Sequence, residues 1–370
     1  MREMIQPAQT DVRNYGIDGL RIVSMLFVLT LHILGLSAIL FYAKPFSAAY
    51  FVEWTMEIAA YCAINCFGLI SGYVGVRSRF RYTNLVLLWL QVALYNVVLT
   101  AAFYVVMPGS VSRKQLLLAF FPVYQKHFWY FSAYFGMYFL IPLMNRAVLV
   151  LNRIQAKVLC VSIVVVFSLL LPLMRMDPFA LGYGFTLIWL VLLYLLGACI
   201  REFDFMAAIR PWKLLMGYLL CVLLTLGWKI MIAANVVPIL GKYFDEGFLI
   251  SYTSPTILVS GICLLMVFAR WKKIPAWMVN VIKVASPVTF GVYILHLQEN
   301  VFQLLFKSGG FTPFVKLPAP LIAVAVLLSA VAIFAILGVV DLLRAWVFRK
   351  LKLKQRLLRL EEKWIGKLWD

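Results

Sequence analysis

The sequence predicts an all-α, polytopic integral membrane protein: a bundle of about ten transmembrane helices with both termini on the cytoplasmic side. Three observations carry this expectation. Hydrophobic residues make up 64% of the 370-residue chain and charged residues 13%, with a mean hydropathy of +0.94; a soluble domain is about half apolar and about a quarter charged. The apolar residues fall into runs of about 20, the length that crosses a hydrocarbon core of about 30 Å at about 1.5 Å per residue. The basic residues alternate between poor and rich connections, as the orientation rule for membrane proteins requires.

Runs of spanning length lie near residues 19–42, 50–75, 85–106, 128–148, 157–174, 183–200, 213–235, 249–269, 285–306 and 319–343. The fifth and sixth are short and parted by "MRMDPFALGYG". The first has no small-residue cleavage pattern behind it and reads as a retained helix. Of 34 Lys and Arg, twenty-five lie in the N-terminus, alternate connections and C-terminal tail, and nine on the other side, counting Lys229 in the outward half of the seventh run. The net charge of +19 therefore records topology and not a nucleic-acid partner. All connections are short, so residues 1–345 read as one transmembrane domain. Residues 346–370, "WVFRKLKLKQRLLRLEEKWIGKLWD", form a basic amphipathic tail expected to lie along the anionic inner leaflet. The six cysteines all fall inside apolar runs, where each reads as a small hydrophobe. Cys62 and Cys66 stand one turn apart, with no third ligand nearby in sequence to complete a metal site.

Ionisable groups inside the spans are costly in hydrocarbon and mark functional paths. His32 lies eleven residues beyond Arg21, a rise of about 16 Å, close to mid-membrane. On the ninth run His296 lies at similar depth, with Glu299 one turn further out. Glu53 and Glu57 share a face in the outer part of the second run, where solvation is the plain expectation and an acceptor site the functional one. The inner part of that run carries Asn65 and "GLISGYVG" with Ser71. That stretch reads G-x-x-S-G and follows no strand, so it is not a hydrolase elbow; a close helix contact is its plain reading. His127, in "KHFWYF", fits an interfacial aromatic belt as well as a site. Asp341 at the inner end of the last run has Arg344 at i+3 as a partner.

A neutral imidazole at mid-depth accepts a proton from a hydroxyl and returns it, while an arginine holds a phosphate or polarises a carbonyl. Together they suit group transfer, with Arg21 on an anionic donor and His32 activating an acceptor. The same His, Glu and Arg are also the parts of a proton relay, so a proton-coupled transporter stays open at this level. A buried histidine also serves as packing glue between helices. No phosphate-binding glycine loop, metal cluster or dinucleotide fingerprint is present, so nothing points to ATP, a metal or NAD.

Four stretches resemble signatures of the acyltransferase 3 family of membrane-bound acyltransferases. "DGLRIVSMLFVLTLH" has its Arg, ten residues, then His, matched by Arg21 and His32. "CFGLISGYVGVRSRFR" is similar to its Ser-Gly-Tyr helix end followed by a basic loop. "HFWYFSAYFGMYFLIPLMN" resembles its Trp-aromatic fourth helix, and "TFGVYILHLQENVF" its Gly-x-Tyr-x-x-His segment. The resemblance is colinear from about 14 to 306. It implies O-acetylation: an acyl group, usually acetyl, moved from cytoplasmic acetyl-CoA to a sugar hydroxyl of an exported polysaccharide or lipid-linked precursor at the cell membrane. It implies Arg21 at the donor and His32 as general base or transient acyl carrier. It implies further that Ser71, Arg77, Arg79 and Arg81 contact CoA. Read from the residues themselves, Glu53, Glu57 and His127 are candidates for the acceptor end, and His296 and Glu299 for orienting His32 or lining that end. The basic loop reads R-x-R-x-R where the family has R-x-x-R. No hydrolase-like domain follows the last run, so the resemblance implies unaided transfer or a separate glycan-assembly partner.

Overall fold

A computed structural model describes residues 13–174 and 176–364, apart from the side chain of Lys126. Arg2 with the rest of residues 1–12, Arg175, and residues 365–370 of the predicted tail lie outside the described residues. Among the described residues the chain is all helical. Seven stretches are long and apolar enough to cross a membrane: Tyr15–Leu36, Ala48–Gly75, Tyr82–Val106, Arg153–Met174, Pro211–Ala233, Ala276–Leu297 and Ala319–Lys350.

Helix α1 (Tyr15–Leu31) starts at Asn14, whose side chain accepts from the backbone N–H groups of Gly16 and Ile17 and so satisfies two donors the helix end leaves open. The same side chain donates to the carbonyl of Ala269 at 2.9 Å, tying α1 to the end of a distant helix. At His32 the helix widens into π-type turns over His32–Leu36 and then breaks at Ala38, in the left-handed region. Such π bulges recur at functional sites because they redirect side chains out of the regular register.

The second stretch is α2 (Ala48–Ala60) and α3 (Ala63–Gly75), bent at Tyr61 and Cys62. Helix α4 (Tyr82–Val106) follows. The predicted fourth run is α5 (Trp129–Tyr138) and α6 (Ile141–Leu149), parted where Pro142 removes a backbone donor. Helix α7 (Arg153–Ser162) continues through π-type turns to Met174. The predicted sixth and eighth runs are α8 (Leu187–Phe203) and α10 (Pro255–Ala269), of 17 and 15 residues, on either side of α9 (Pro211–Ala233). The predicted ninth run starts at the end of α11 (Ala276–Ala285), is jointed to it at Pro287, takes in α12 (Thr289–Leu297), and continues through a short helical turn and π-type turns over Glu299–Phe302 and Gln303–Lys307. Helix α13 (Ala319–Lys350) and a final α14 (Leu353–Trp364) complete the chain.

Helices α8 and α10 are short for a reason in the sequence. The Asn65 side chain, midway along the bent stretch Ala48–Gly75, donates to the carbonyl of Tyr252 at 2.8 Å and accepts from the Trp189 indole at 3.0 Å. Both helices thus begin inside the bundle, at the level of Asn65. Gly184, at φ +99, lets the chain turn there; a Cβ on it would stand 2.5 Å from the Cβ of Tyr252.

Lipid supplies no hydrophobic drive between helices, so close packing and polar contacts hold them together. Ser71 is followed by Gly72, where a Cβ would lie 1.9 Å from the Tyr194 carbonyl oxygen; opposite, at Gly197, it would lie 2.0 Å from that of Leu69. This is the close helix contact expected at "GLISGYVG", seated on the glycine and not on the serine. Asp341, fully buried, accepts from Gln91, Tyr95 and the Nε and Nη2 groups of Arg344. Its carboxylate occupies the space a side chain at Gly291 would need, so α12 rests on α13 through that glycine. Lys229, also buried, pairs with Glu246 at 2.8 Å and lies over the Trp54 ring.

The predicted tail divides. Residues 346–350 finish α13, and a left-handed turn at Lys352 starts α14. Glu361 of α14 accepts from the backbone N–H groups of Tyr82 and Thr83, at 2.9 Å each. It caps α4, whose own preceding residue, Arg81, supplies no side-chain cap. The tail is held by protein at this point, where the sequence pattern alone suggested lipid.

Candidate active site

Two histidines from the opposite ends of the sequence meet. His32 Nδ1 lies 3.1 Å from His296 Nε2, and His296 Nδ1 lies 2.7 Å from the Val292 carbonyl oxygen. A carbonyl only accepts, so His296 Nδ1 carries the proton there and its Nε2 is a lone pair. His32 Nδ1 must then donate to it, which leaves His32 Nε2 as an unprotonated nitrogen. Sequence geometry causes this arrangement: the π turn at His32 aims one ring, and the helical hydrogen bond to Val292, four residues back, locks the other. Phe306 packs edge-on to both rings, at 5.7 and 6.3 Å between centroids.

A cavity of about 400 Å³ opens between α1, α3, α5 and α12. Arg21, Ser71 and Arg79 line it, together with Tyr130, Tyr134 and Tyr293. Val28 and Tyr293 also line it, each about one turn before a histidine; the Tyr293 and His296 rings are 6.0 Å apart. Arg21 is fixed by Asp18, a buried carboxylate that also accepts from Arg13 at 2.6 Å and Ser286 at 3.1 Å. The guanidinium is thereby presented to the cavity with its stem on α1 and its charge partly exposed.

The remaining predicted residues separate into groups. Ser71 donates to the Phe67 carbonyl at 2.8 Å while facing the cavity. Arg77 makes a two-armed contact with Glu202, at 2.7 and 2.9 Å, and lies outside the cavity lining. Arg81 also lies outside it, 3.8 Å from Glu362 of the tail. His127 and Glu299 face each other at 3.7 Å. Glu53 and Glu57 correct the plain expectation of solvation: they are 2% and 7% exposed, and the Oε2 atom of each has no hydrogen-bond partner among the described residues. The bend at Tyr61 turns their helix face inward. The cavity tyrosines escaped the sequence reading because aromatic residues abound in every span. Tyr293 entered only within the segment that resembles the family's Gly-x-Tyr-x-x-His signature.

Among the described residues no group of three or more His, Cys, Asp or Glu side chains could hold a metal ion. The six cysteines are free, and four of them buried.

Apolar helices thus surround an arginine-lined cavity whose Tyr293 ring stands 6.0 Å from that of His296, while neither His32 nor His296 lines the cavity itself. A model of an acyltransferase domain matches residues 14–339. The chain belongs to the acyltransferase 3 family and is a multi-pass membrane acyltransferase. Neither the curated proteins nor the solved structures contain a significant match.

Proposed function

We propose that the protein is an O-acetyltransferase of the plasma membrane, moving an acetyl group from cytoplasmic acetyl-CoA to a hydroxyl of an exported or lipid-linked glycan. The observation that carries this reading is the His32–His296 pair, whose hydrogen bonds leave His32 Nε2 unprotonated, beside Tyr293 of the cavity lining. In this reading Arg21 and Arg79 hold the anionic donor and Ser71 lines its path. Arg77 and Arg81, engaged by Glu202 and near Glu362, fix the basic loop and lie outside the cavity lining, to which Arg79 belongs. The donor enters from the side that carries the basic connections. That side is cytoplasmic if the chain spans ten times, with α5–α6, α8 and α10 completing the count beside the seven long stretches.

His32 Nε2 takes the proton of the acceptor hydroxyl as its oxygen attacks the thioester carbonyl. The new C–O bond forms, the C–S bond breaks, and the imidazolium returns the proton to the leaving sulfur. His296 keeps His32 in the productive tautomer and takes up part of the imidazolium charge through the shared hydrogen bond. A variant of the scheme, in which His32 Nε2 itself carries the acetyl group, uses the same nitrogen. Rapid-quench trapping of an acetylated His32 separates the two.

The donor assignment is tested by calorimetric titration of CoA into the purified protein. Wild type binds, and Arg21→Ala and Arg79→Ala each weaken binding about tenfold or more, as loss of a charge-assisted contact to phosphate does. Undiminished binding in both variants rejects the cavity as the donor site. A proton-coupled transporter would bind no CoA at all.

A further inference from the structure

Helices α5, α8 and α10 carry aromatic residues at or just before their first turns. Trp129 opens α5, Phe185 precedes α8 by two residues, and Tyr252 precedes α10 by three. Tyr61 sits at the bend between α2 and α3. These four rings form one continuous wall: Trp129 to Phe185 at 4.7 Å, Phe185 to Tyr252 at 5.0 Å, and Tyr252 to Tyr61 at 5.0 Å. Trp129 and Tyr252 are near parallel, at 21° and 6.3 Å. The wall is open on one side, since Phe185 is 46% exposed and Trp129 and Tyr61 are partly exposed.

Glu57 closes the other side. Its carboxylate lies within electrostatic reach of the Tyr61 and Tyr252 hydroxyls. Its Oε1 is 3.6 Å from where a Cβ on Gly35 would stand, inside the turn that begins at His32. Its Oε2 is buried and without a hydrogen-bond partner among the described residues. A buried polar group left unpaired is expensive, and packing alone would place Leu or Met there. A ligand hydroxyl at the wall would supply the missing partner.

We propose that the Tyr61–Tyr252–Phe185–Trp129 wall and Glu57 form the acceptor subsite, and that its ligand is a pyranose ring. The electron-rich ring faces attract the C–H face of a sugar, and Glu57 accepts a hydrogen bond from one hydroxyl. That contact presents a neighbouring hydroxyl toward His32, three residues from Gly35. The inference rests on the acyl-transfer reading of the histidine pair.

The test is saturation-transfer NMR on the purified full-length protein, with a β-linked glucose tetramer, an N-acetylglucosamine tetramer and tetramethylammonium as probes. Wild type transfers saturation to the ring protons of at least one oligosaccharide. Phe185→Ala and Glu57→Gln, with thermal midpoints close to wild type, weaken that binding about tenfold. No transfer to either oligosaccharide, or undiminished transfer in both variants, overturns the proposal. Transfer to tetramethylammonium alone overturns it in favour of an amine ligand. Thiol release from acetyl-CoA is followed in parallel. If oligosaccharide binds through the wall but no thiol is ever released, the acyl-transfer reading falls and the subsite stands. If thiol release responds to acceptor while both variants keep the wild-type KM for it, the subsite falls and the enzyme stands.

Discussion

At the scale of single residues, the decisive feature is the direction of two hydrogen bonds. The Val292 carbonyl fixes the proton on His296 Nδ1, and His296 in turn fixes the proton on His32 Nδ1. Sequence alone brought out both histidines, because an imidazole in an apolar run is conspicuous. It placed them at similar depth and offered His296 as a group to orient His32, but 264 positions separate them and only the folded bundle joins the two helices. Removing His296 should act through His32. We expect His296→Ala to lower kcat about tenfold or more, to leave the KM for acyl-CoA within twofold, and to move the pH profile of kcat. An unchanged pH profile would show that His296 only fills space. His296→Gln, whose amide nitrogen can donate and oxygen accept, should restore part of the rate.

At the scale of elements, the irregularities do the positioning. The π turn at His32, the bend at Tyr61 and the joint at Pro287 each interrupt a stretch that hydropathy reads as a uniform span. Periodicity located these stretches well and their breaks poorly, because a break is set by tertiary partners such as Asn65 and Asp341. The seat of α12 on α13 is a direct case. Gly291→Ala drives a Cβ into the Asp341 carboxylate and should displace the helix that carries His296. Thermal unfolding should then fall by several degrees, with loss of activity. A variant that melts like wild type and stays active contradicts this role for Gly291.

The tail follows different physics. Burial alone would raise the Glu361 carboxyl, but hydrogen bonds from Thr83 and Tyr82 and the nearby charge of Arg81 outweigh it and hold the group below its ordinary 4.5. A lowered folded-state value means that docking is fully supported above pH 4.5 and is lost as pH falls through the lowered value. Hydrogen exchange at the Tyr82 and Thr83 amides checks this. Glu361→Gln at neutral pH should speed exchange at both, and equal protection in the two proteins contradicts the cap.

At the scale of the whole molecule, composition and charge asymmetry made the membrane class legible from the sequence, and the family match is consistent with it. The count of spans was less legible. Three of the ten expected runs are short or broken helices, because two of them start at Asn65 inside the bundle and one breaks at Pro142. With ten spans, single cysteines at Ser110 and Lys352 lie on opposite sides. A membrane-impermeant thiol reagent should then label Ser110→Cys in intact cells and Lys352→Cys only after permeabilisation. Labelling of both from one side would contradict that topology. The central claim is that His32 is the base beside the donor cavity. It is tested most directly by free-thiol release from acetyl-CoA, using purified protein in liposomes with a glycan acceptor, wild type beside His32→Ala. The account predicts acceptor-dependent release in wild type and a loss of about 10²–10⁴-fold in a folded His32→Ala. Full release by that variant would contradict it.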